Sequence, residues 1–503
     1  MSDRFHVTYL LTLTADEDPE ERIRALQLEQ SAELPDGVVR ALGMQEVTGT
    51  VTAVPLAGSG SGAGSATVAG AGSAAGANSG AGPGVGSGAE AGVGGGSAAK
   101  SGSGAGPRQI QVTIGWPKNN HGNEITQFLN VLFGNISMKR GIAITGIQWK
   151  DVAGVSTTTG GDGTSDRDVS THGETAYRND TASGGYVTTR DEPSNSGRGG
   201  LLAGPAIGVD RLREKWGIHG RALACTALKP MGYSSEKLAD LAFRFAMGGV
   251  DIIKDDHGLA NQPTAPFAER VRLCVEAVDR AAQKTGRRSR YFPNITTDPH
   301  RVQERFEQAA NMGADGVLLI PMLVGPALMH HLARLGTGLP IMAHPAFSGT
   351  YIAHDAAAFR AMPETGATGM VRDENPETSS NQPLLDHDVP SASAPSLHGF
   401  EPGLFYGGLM RALGADFTIY PNTGGRFSFT REVCDGINNH ARNEDLPFAP
   451  CFPAPGGGMQ RDRMAYWLEN YGADTTFLMG GSLFEDPAGI EAASRAFMES
   501  LGA

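Results

Sequence analysis

Residues 248–262 read GGVDIIKDDHGLANQ, a largely apolar run, Val250–Ile253, that ends in four ionisable side chains, Lys254, Asp255, Asp256 and His257. Buried runs ordinarily end in turn residues. Four charges at such a point make sense where a strand stops at the rim of a site, so the surrounding pattern has to be read first. From Gly220 onward short apolar strands alternate with amphipathic stretches: ALACTALK, VDIIKDD, SRYFPNIT, ADGVLLIP, LPIMAHP, ADFTIYPN, FAPCFPAP and TTFLMGG. Helical segments such as SSEKLADLAFRFAMGG and DPHRVQERFEQAANMG follow them. Continuous apolar strands suit a parallel sheet covered by helices, and eight strand–helix units in series predict a (β/α)8 barrel.

Catalytic groups of such barrels collect where strands end and loops begin. Here the strand ends carry Lys229, the Lys254–His257 cluster, Asn294, His344, Asn422, Gly456–Gly458 and Gly480–Gly481. Polar residues therefore gather at one mouth. A lysine next to two carboxylates is also compatible with a plain ion pair, and a single histidine at a strand end with a structural role.

Upstream, RFHVTYLLT, EVTGTVTAV, RQIQVTIGW and GIAITGIQW alternate, while DPEERIRALQLEQ and EITQFLNVLF have helical spacing. The order βαββαβ predicts a ferredoxin-like α+β domain over 1–150. The barrel is expected over 201–503. Three segments do not suit a packed core: the Gly/Ala/Ser tract 57–107, the Ser/Thr/Gly/Asp-rich 151–200 and the polar 354–397. Burial could not offset their ordering entropy, so they are expected to be disordered insertions.

The whole chain of 503 residues has a formal net charge of −13. That balance disfavours nucleic acid and anionic membranes as partners. Cys225, Cys274, Cys434 and Cys451 are scattered without CxxC pairs, which suits a reducing compartment and neither a disulfide framework nor a structural zinc site. No basic leader and no long apolar span is visible, so a soluble cytoplasmic protein is expected.

The motifs ALKPMG (227–232), GGVDIIKDDHGLANQ (248–262), PIMAHPA (340–346), PNTGGRFSF (421–429), APGGGM (454–459) and FLMGGS (477–482) resemble the large subunit of RuBisCO. They are most similar to its non-carboxylating relatives, the RuBisCO-like proteins of form IV. The resemblance implies Mg²⁺ held by a carbamate on Lys254, because an ammonium has no lone pair for a metal whereas its CO₂ adduct offers two anionic oxygens. By position Asp256 is a further ligand, and His257 stands where the family has a glutamate. An imidazole removes one negative charge and replaces a hard donor by a borderline one. Asp255 is expected to orient its neighbours.

The resemblance also implies that Lys229 moves a proton at the carbon next to a carbonyl. Met231 lacks the amine of the KPK motif that carboxylating members use. Pro345 and Ser348 replace an arginine and a histidine that follow His344, which is implied to be an acid or base. Arg426 takes the place of the mobile-loop lysine. Gly457, Gly458, Gly480 and Gly481 end the last two strands, where barrels commonly bind phosphate through backbone N–H groups. With one phosphate site kept and the arginine of the other missing, a monophosphate is the expected substrate. LFGNIS (132–137) resembles the segment that lends an asparagine, here Asn135, to the neighbouring subunit, which implies a homodimer with shared sites.

These expectations combine into Mg²⁺-dependent enediolate chemistry on a phosphorylated keto-sugar or 3-oxo acid, by enolisation, isomerisation, decarboxylation or transcarboxylation. His257 and the PNTGGRF loop lean towards the carbon–carbon lyase outcomes. True ribulose-bisphosphate carboxylation and a non-catalytic stress or regulatory protein are the alternatives.

Overall fold

The computed structural model describes residues 3–14, 16–31, 36–43, 45–55, 108–153, 201–353, 398–424 and 429–502. The three low-complexity segments fall almost entirely outside these residues, as does Arg426. Four strands near the start, β1 (Arg4–Leu13), β2 (Thr50–Pro55), β3 (Arg108–Pro117) and β4 (Ile142–Ile147), form one antiparallel sheet in the order β4-β1-β3-β2. The strict alternation of β1, with every second residue buried, places Phe5, Val7, Tyr9, Leu11 and Leu13 on one face. The helices Pro19–Glu29 and Ile125–Phe133 complete the ferredoxin-like order.

Later strands make the barrel: β5 (Leu223–Leu228), β6 (Ile252–Asp255), β7 (Arg290–Phe292), β8 (Val317–Leu319) and β9 (Ile341–Ala343). A two-residue strand, β10 (Gly399–Phe400), follows; then come β11 (Phe417–Pro421), β12 (Phe452–Gly456) and β13 (Thr476–Leu478). Eight of them pair in parallel in the order β7-β6-β5-β13-β12-β11-β9-β8. The bridge Asn294–Leu318, supported by Leu318 N–H donating to Pro293 O at 2.9 Å, joins β7 to β8 and closes the ring. Strand order round the ring thus follows chain order. β10 instead leaves the barrel and pairs in parallel with β4, a fifth strand that ties the amino-terminal sheet to the barrel segment of the chain. Two residues without a period carry no strand signal, which is why the sequence does not reveal it.

The barrel interior is a packed core rather than a pore, with Cys225, Ile252, Phe292, Leu318, Met342 and Phe452 among its buried residues. The helix Val209–Trp216 covers the amino-terminal mouth, where Trp216 stacks on Phe417 at 6.0 Å. The opposite mouth is left for the polar strand ends. All four cysteines are free and buried. No helix among the described residues is long and apolar enough to cross a membrane.

Candidate functional site

One cavity of about 570 Å³ opens at the carboxy-terminal mouth of the barrel, and it gathers side chains from strands far apart in sequence. Lys229 follows β5, Lys254 lies within β6, Asp256 and His257 follow it, and His344 follows β9; all line the cavity. Gly457, Gly458, Gly480 and Gly481, after β12 and β13, line the same cavity, β13 being the strand next to β5. The side chains predicted for one site therefore meet in it, apart from Asn135 and Arg426. Arg426 lies outside the described residues. Asn135 begins the short 3₁₀ segment Asn135–Met138 of the amino-terminal domain, near the Glu29–Lys139 pair, and does not line the cavity of its own chain.

The adjacent ionisable residues of the Lys254 cluster separate according to the alternation of the strand. Asp255, fully buried, turns away from the cavity: it accepts from Arg270 Nε at 3.1 Å, the Tyr291 hydroxyl at 2.7 Å and Asn294 N–H at 2.9 Å. Arg270 is equally buried and also donates to the carbonyls of Ala260 and Ala265. This network fixes the loop that carries Asp256 and His257. Asn294 adds to it by donating to the carbonyls of His257 (2.9 Å) and Leu259 (2.8 Å). Asp255 and Asn294 thus position the site without facing it.

Lys254, only 2% exposed, points inward and donates to the Asp255 carbonyl at 3.1 Å. Burial pushes its pKa down, against the pull of Cys225 and the carboxylates, and so favours the neutral amine. The plain ion pair falls elsewhere: Lys229 Nζ lies 3.2 Å from Asp256 Oδ1. Burial alone would raise the Asp256 carboxyl, yet Lys254, Lys229 and His257 together hold it below its ordinary value. His257 Nδ1 is 3.6 Å from the other Asp256 oxygen, and its ring stacks on His344 at 4.6 Å.

His344 is driven well below the usual histidine range, chiefly by burial and then by Lys254, His257 and Lys229. It is therefore a neutral imidazole at pH 7. Its Nδ1 accepts from Ala346 N–H at 3.1 Å, which leaves the proton on Nε2. His344 can donate a hydrogen bond without carrying charge. Beside it, Ser348 hydrogen-bonds the Tyr406 hydroxyl at 2.6 Å.

Gly457 and Gly458 have φ values of +87° and +67°, where L side chains are strained. A Cβ on Gly457 or Gly480 would meet nothing within 4 Å; it would project into free space. Among the described residues the N–H groups of Gly457, Gly458 and Gly480 donate to no backbone acceptor. Unengaged N–H groups beside open volume are what an anion needs. Asn422, fully buried, accepts from Tyr471 at 2.9 Å and so supports the strand β11 next to this wall.

Sequence reasoning missed Glu485, which lines the cavity with an oxygen 3.9 Å from where a Cβ on Gly481 would sit. Nothing in its local pattern marks it, because it comes from the exposed side of the turn after Gly481. Arg270 was missed for a similar reason: its partner lies fifteen positions away.

As they stand, no three His, Cys, Asp or Glu side chains among the described residues are grouped to hold a metal ion. Addition of CO₂ to the neutral Lys254 amine, with loss of a proton, would place two anionic oxygens beside Asp256. With that change the donor set suits a hard divalent cation.

Comparison with known proteins agrees with the architecture. A family model described as ribulose bisphosphate carboxylase large chain, catalytic domain, matches residues 208–361. The 5-methylthioribulose-1-phosphate isomerase of Rhodospirillum rubrum is 34% identical over 301 residues, 60% of this chain and 68% of that protein. The 2,3-diketo-5-methylthiopentyl-1-phosphate enolase of Geobacillus kaustophilus is 29% identical over 303 residues, 60% of this chain and 63% of that protein. The match thus spans about two thirds of these relatives' length. A crystal structure of a Rubisco-like protein from Rhodopseudomonas palustris superposes with a TM-score of 0.64 and 24% identity, covering 100% of this chain and 98% of that one. On the closed barrel, its motifs and this identity, the chain belongs to the RuBisCO large-chain family, among the RuBisCO-like proteins of form IV.

Proposed function

We propose that this chain is a non-carboxylating enzyme that moves a proton next to the carbonyl of a phosphorylated five-carbon keto-sugar bearing one phosphate. The observation that carries this reading is the convergence of Lys229, Asp256, the neutral His344 and the open glycine wall on one cavity. Two relatives whose names state an activity, an isomerase and an enolase, are named for 1-phosphates of methylthio-substituted five-carbon compounds. Proton transfer is therefore proposed ahead of carbon–carbon cleavage.

The phosphate would lodge against the N–H groups of Gly457 and Gly458. Lys229, as the neutral amine after it gives up the proton it holds in the Asp256 pair, would remove a proton from the carbon beside the carbonyl, and the electron pair would move onto the carbonyl oxygen. His344 would donate its Nε2–H to that oxygen as charge develops there. Return of the proton to the neighbouring carbon completes an isomerisation; protonation of the oxygen instead gives the enol. Carbamylated Lys254 and Asp256, with His257 alongside, would hold Mg²⁺, which when bound supplies Lewis acidity at the carbonyl. A glutamate-to-histidine change at 257 lowers the negative charge of that set, so binding should be weaker than in members that keep the glutamate. We further infer a homodimer in which the Asn135 segment of a second copy completes each cavity.

The test is exchange of solvent deuterium into 5-methylthioribulose 1-phosphate, followed by NMR with Mg²⁺ and bicarbonate present. Exchange that Lys229→Met abolishes supports the reading. Absence of exchange, together with CO₂ release from a 3-oxo acid phosphate, would replace it with the carbon–carbon lyase reaction.

A further inference from the structure

A second cavity of about 460 Å³ lies at the other end of the barrel. Arg221 precedes β5, Asp251 and Gly249 precede β6, and Arg290 is the first residue of β7, so the cavity sits at the amino-terminal mouth. It is formed next to the helix Val209–Trp216 that covers this mouth. Its walls carry Arg221, Arg287, Arg288 and Arg290, with Asp251 as the one acidic residue among them.

The charges do not balance locally. Arg221 forms a bidentate pair with Asp251, both contacts at 2.7 Å, and Asp251 also accepts from Ala224 N–H. Arg288 pairs with Asp315 and with Asp279. Arg290 spends its donors on carbonyls, those of Arg288 (2.6 Å) and Trp216 (3.0 Å), and its guanidinium lies over the Trp216 ring. Arg287 is exposed, and its guanidinium lies at the cavity wall beside Gly249, with Nη1 3.7 Å from where a Cβ on that glycine would sit. Among the described residues, neither Arg287 nor Arg290 has a carboxylate in salt-bridge range. Because Arg288 engages two carboxylates, the four arginines set against Asp251, Asp279 and Asp315 leave a net of one positive charge at a recess in a protein whose overall charge is −13. Burial pushes the Arg290 pKa down, while the nearby Asp251 and Asp315 pull it back up against Arg288 and Arg221.

We propose that this amino-terminal cavity binds the dianionic phosphate group of a small phosphate ester, with Arg287 and Arg290 as its charge partners. Arg287 offers a phosphate its forked N–H donors, while Arg290, whose donors are held by carbonyls, adds positive charge from the wall. The volume exceeds a bare phosphate and falls within the range of roughly 300–1,000 Å³ usual for small-molecule sites. Its position at the far ends of the same strands makes it separate from the glycine wall, so the proposal stands whether or not the catalytic reading does.

Arginine-specific labelling of the full chain by phenylglyoxal, mapped by peptide mass, tests it. Inorganic phosphate and ribose 5-phosphate, each compared with chloride at equal ionic strength, are expected to slow labelling of Arg287 about tenfold. Calorimetry should show one phosphate site fewer in Arg287→Ser than in the wild type, and Arg287→Lys should restore weakened binding. Equal protection by chloride, protection by inorganic phosphate but not by the ester, or an unchanged isotherm in Arg287→Ser would each overturn the proposal.

Discussion

Replacing Arg270 by methionine removes a positive charge that touches no ligand, yet it should be among the most damaging changes in the chain. Arg270 and Asp255 are both fully buried, 3.1 Å apart. Without the guanidinium, Asp255 keeps the Tyr291 hydroxyl and Asn294 N–H but no cation. Breaking one side of a buried pair costs about 3–5 kcal/mol, mostly because the surviving charge is left uncompensated. The carbonyls of Ala260 and Ala265 lose their donors too, so the upper part of that range is expected. Against a typical stability of about 5–15 kcal/mol this is a large loss. Urea unfolding followed by tryptophan fluorescence should show it as a midpoint shift of about 1 M or more, given slopes of about 3 kcal/mol/M for larger proteins. Asp255→Asn in the same background removes the buried charge and should recover at least half of the loss, while the 256–266 loop stays loose and activity low. An Arg270→Met loss below about 1 kcal/mol, or a double variant no better than the single one, would refute the charge argument.

Lys229→Met should leave stability within about 0.5 kcal/mol, since the side chain is 43% exposed, and lower deuterium exchange by about 10²–10⁴-fold. Lys254→Gln should abolish CO₂-dependent Mg²⁺ uptake measured by calorimetry, with the fold intact by circular dichroism. Gly457→Ala places a methyl in the cavity at φ +87°, so it should raise KM for the phosphorylated substrate and cost about 1–2 kcal/mol of stability. His330, buried, has its pKa lowered to about 4, first by burial and then by Arg334 and His331. Because the folded value lies below the unfolded one, stability is lost as pH falls from about 6.5 towards 4. From pH 7 to pH 5 the loss from this group is about 2 kcal/mol. His330→Leu should flatten that part of the urea-midpoint profile; an unchanged slope would show that His330 does not carry it.

Much of the fold was legible because periodicity is a property of neighbouring residues. Alternation in Arg4–Leu13 and the eight apolar runs after Gly220 marked the strands that later formed the sheet and the ring. The site was partly legible for the same reason: strand order places strand ends at one mouth, so Lys229, Lys254, Asp256, His257 and His344 could be assigned to it from chain position alone. β10 was not legible, since its pairing with β4 depends on the chain returning after some 250 residues.

The sequence by itself determined the architecture and which ionisable side chains stand at its rim, because those follow from local pattern and strand order. Only the tertiary structure decided which charge each of them faces. It paired Asp256 with Lys229 and Asp255 with Arg270, drove His344 to neutrality by burial, and left Arg287 and Arg290 facing an unbalanced recess at the far mouth. The reason is that Coulomb energy and desolvation depend on distance and depth in space, and neither is written in the spacing of letters along a chain.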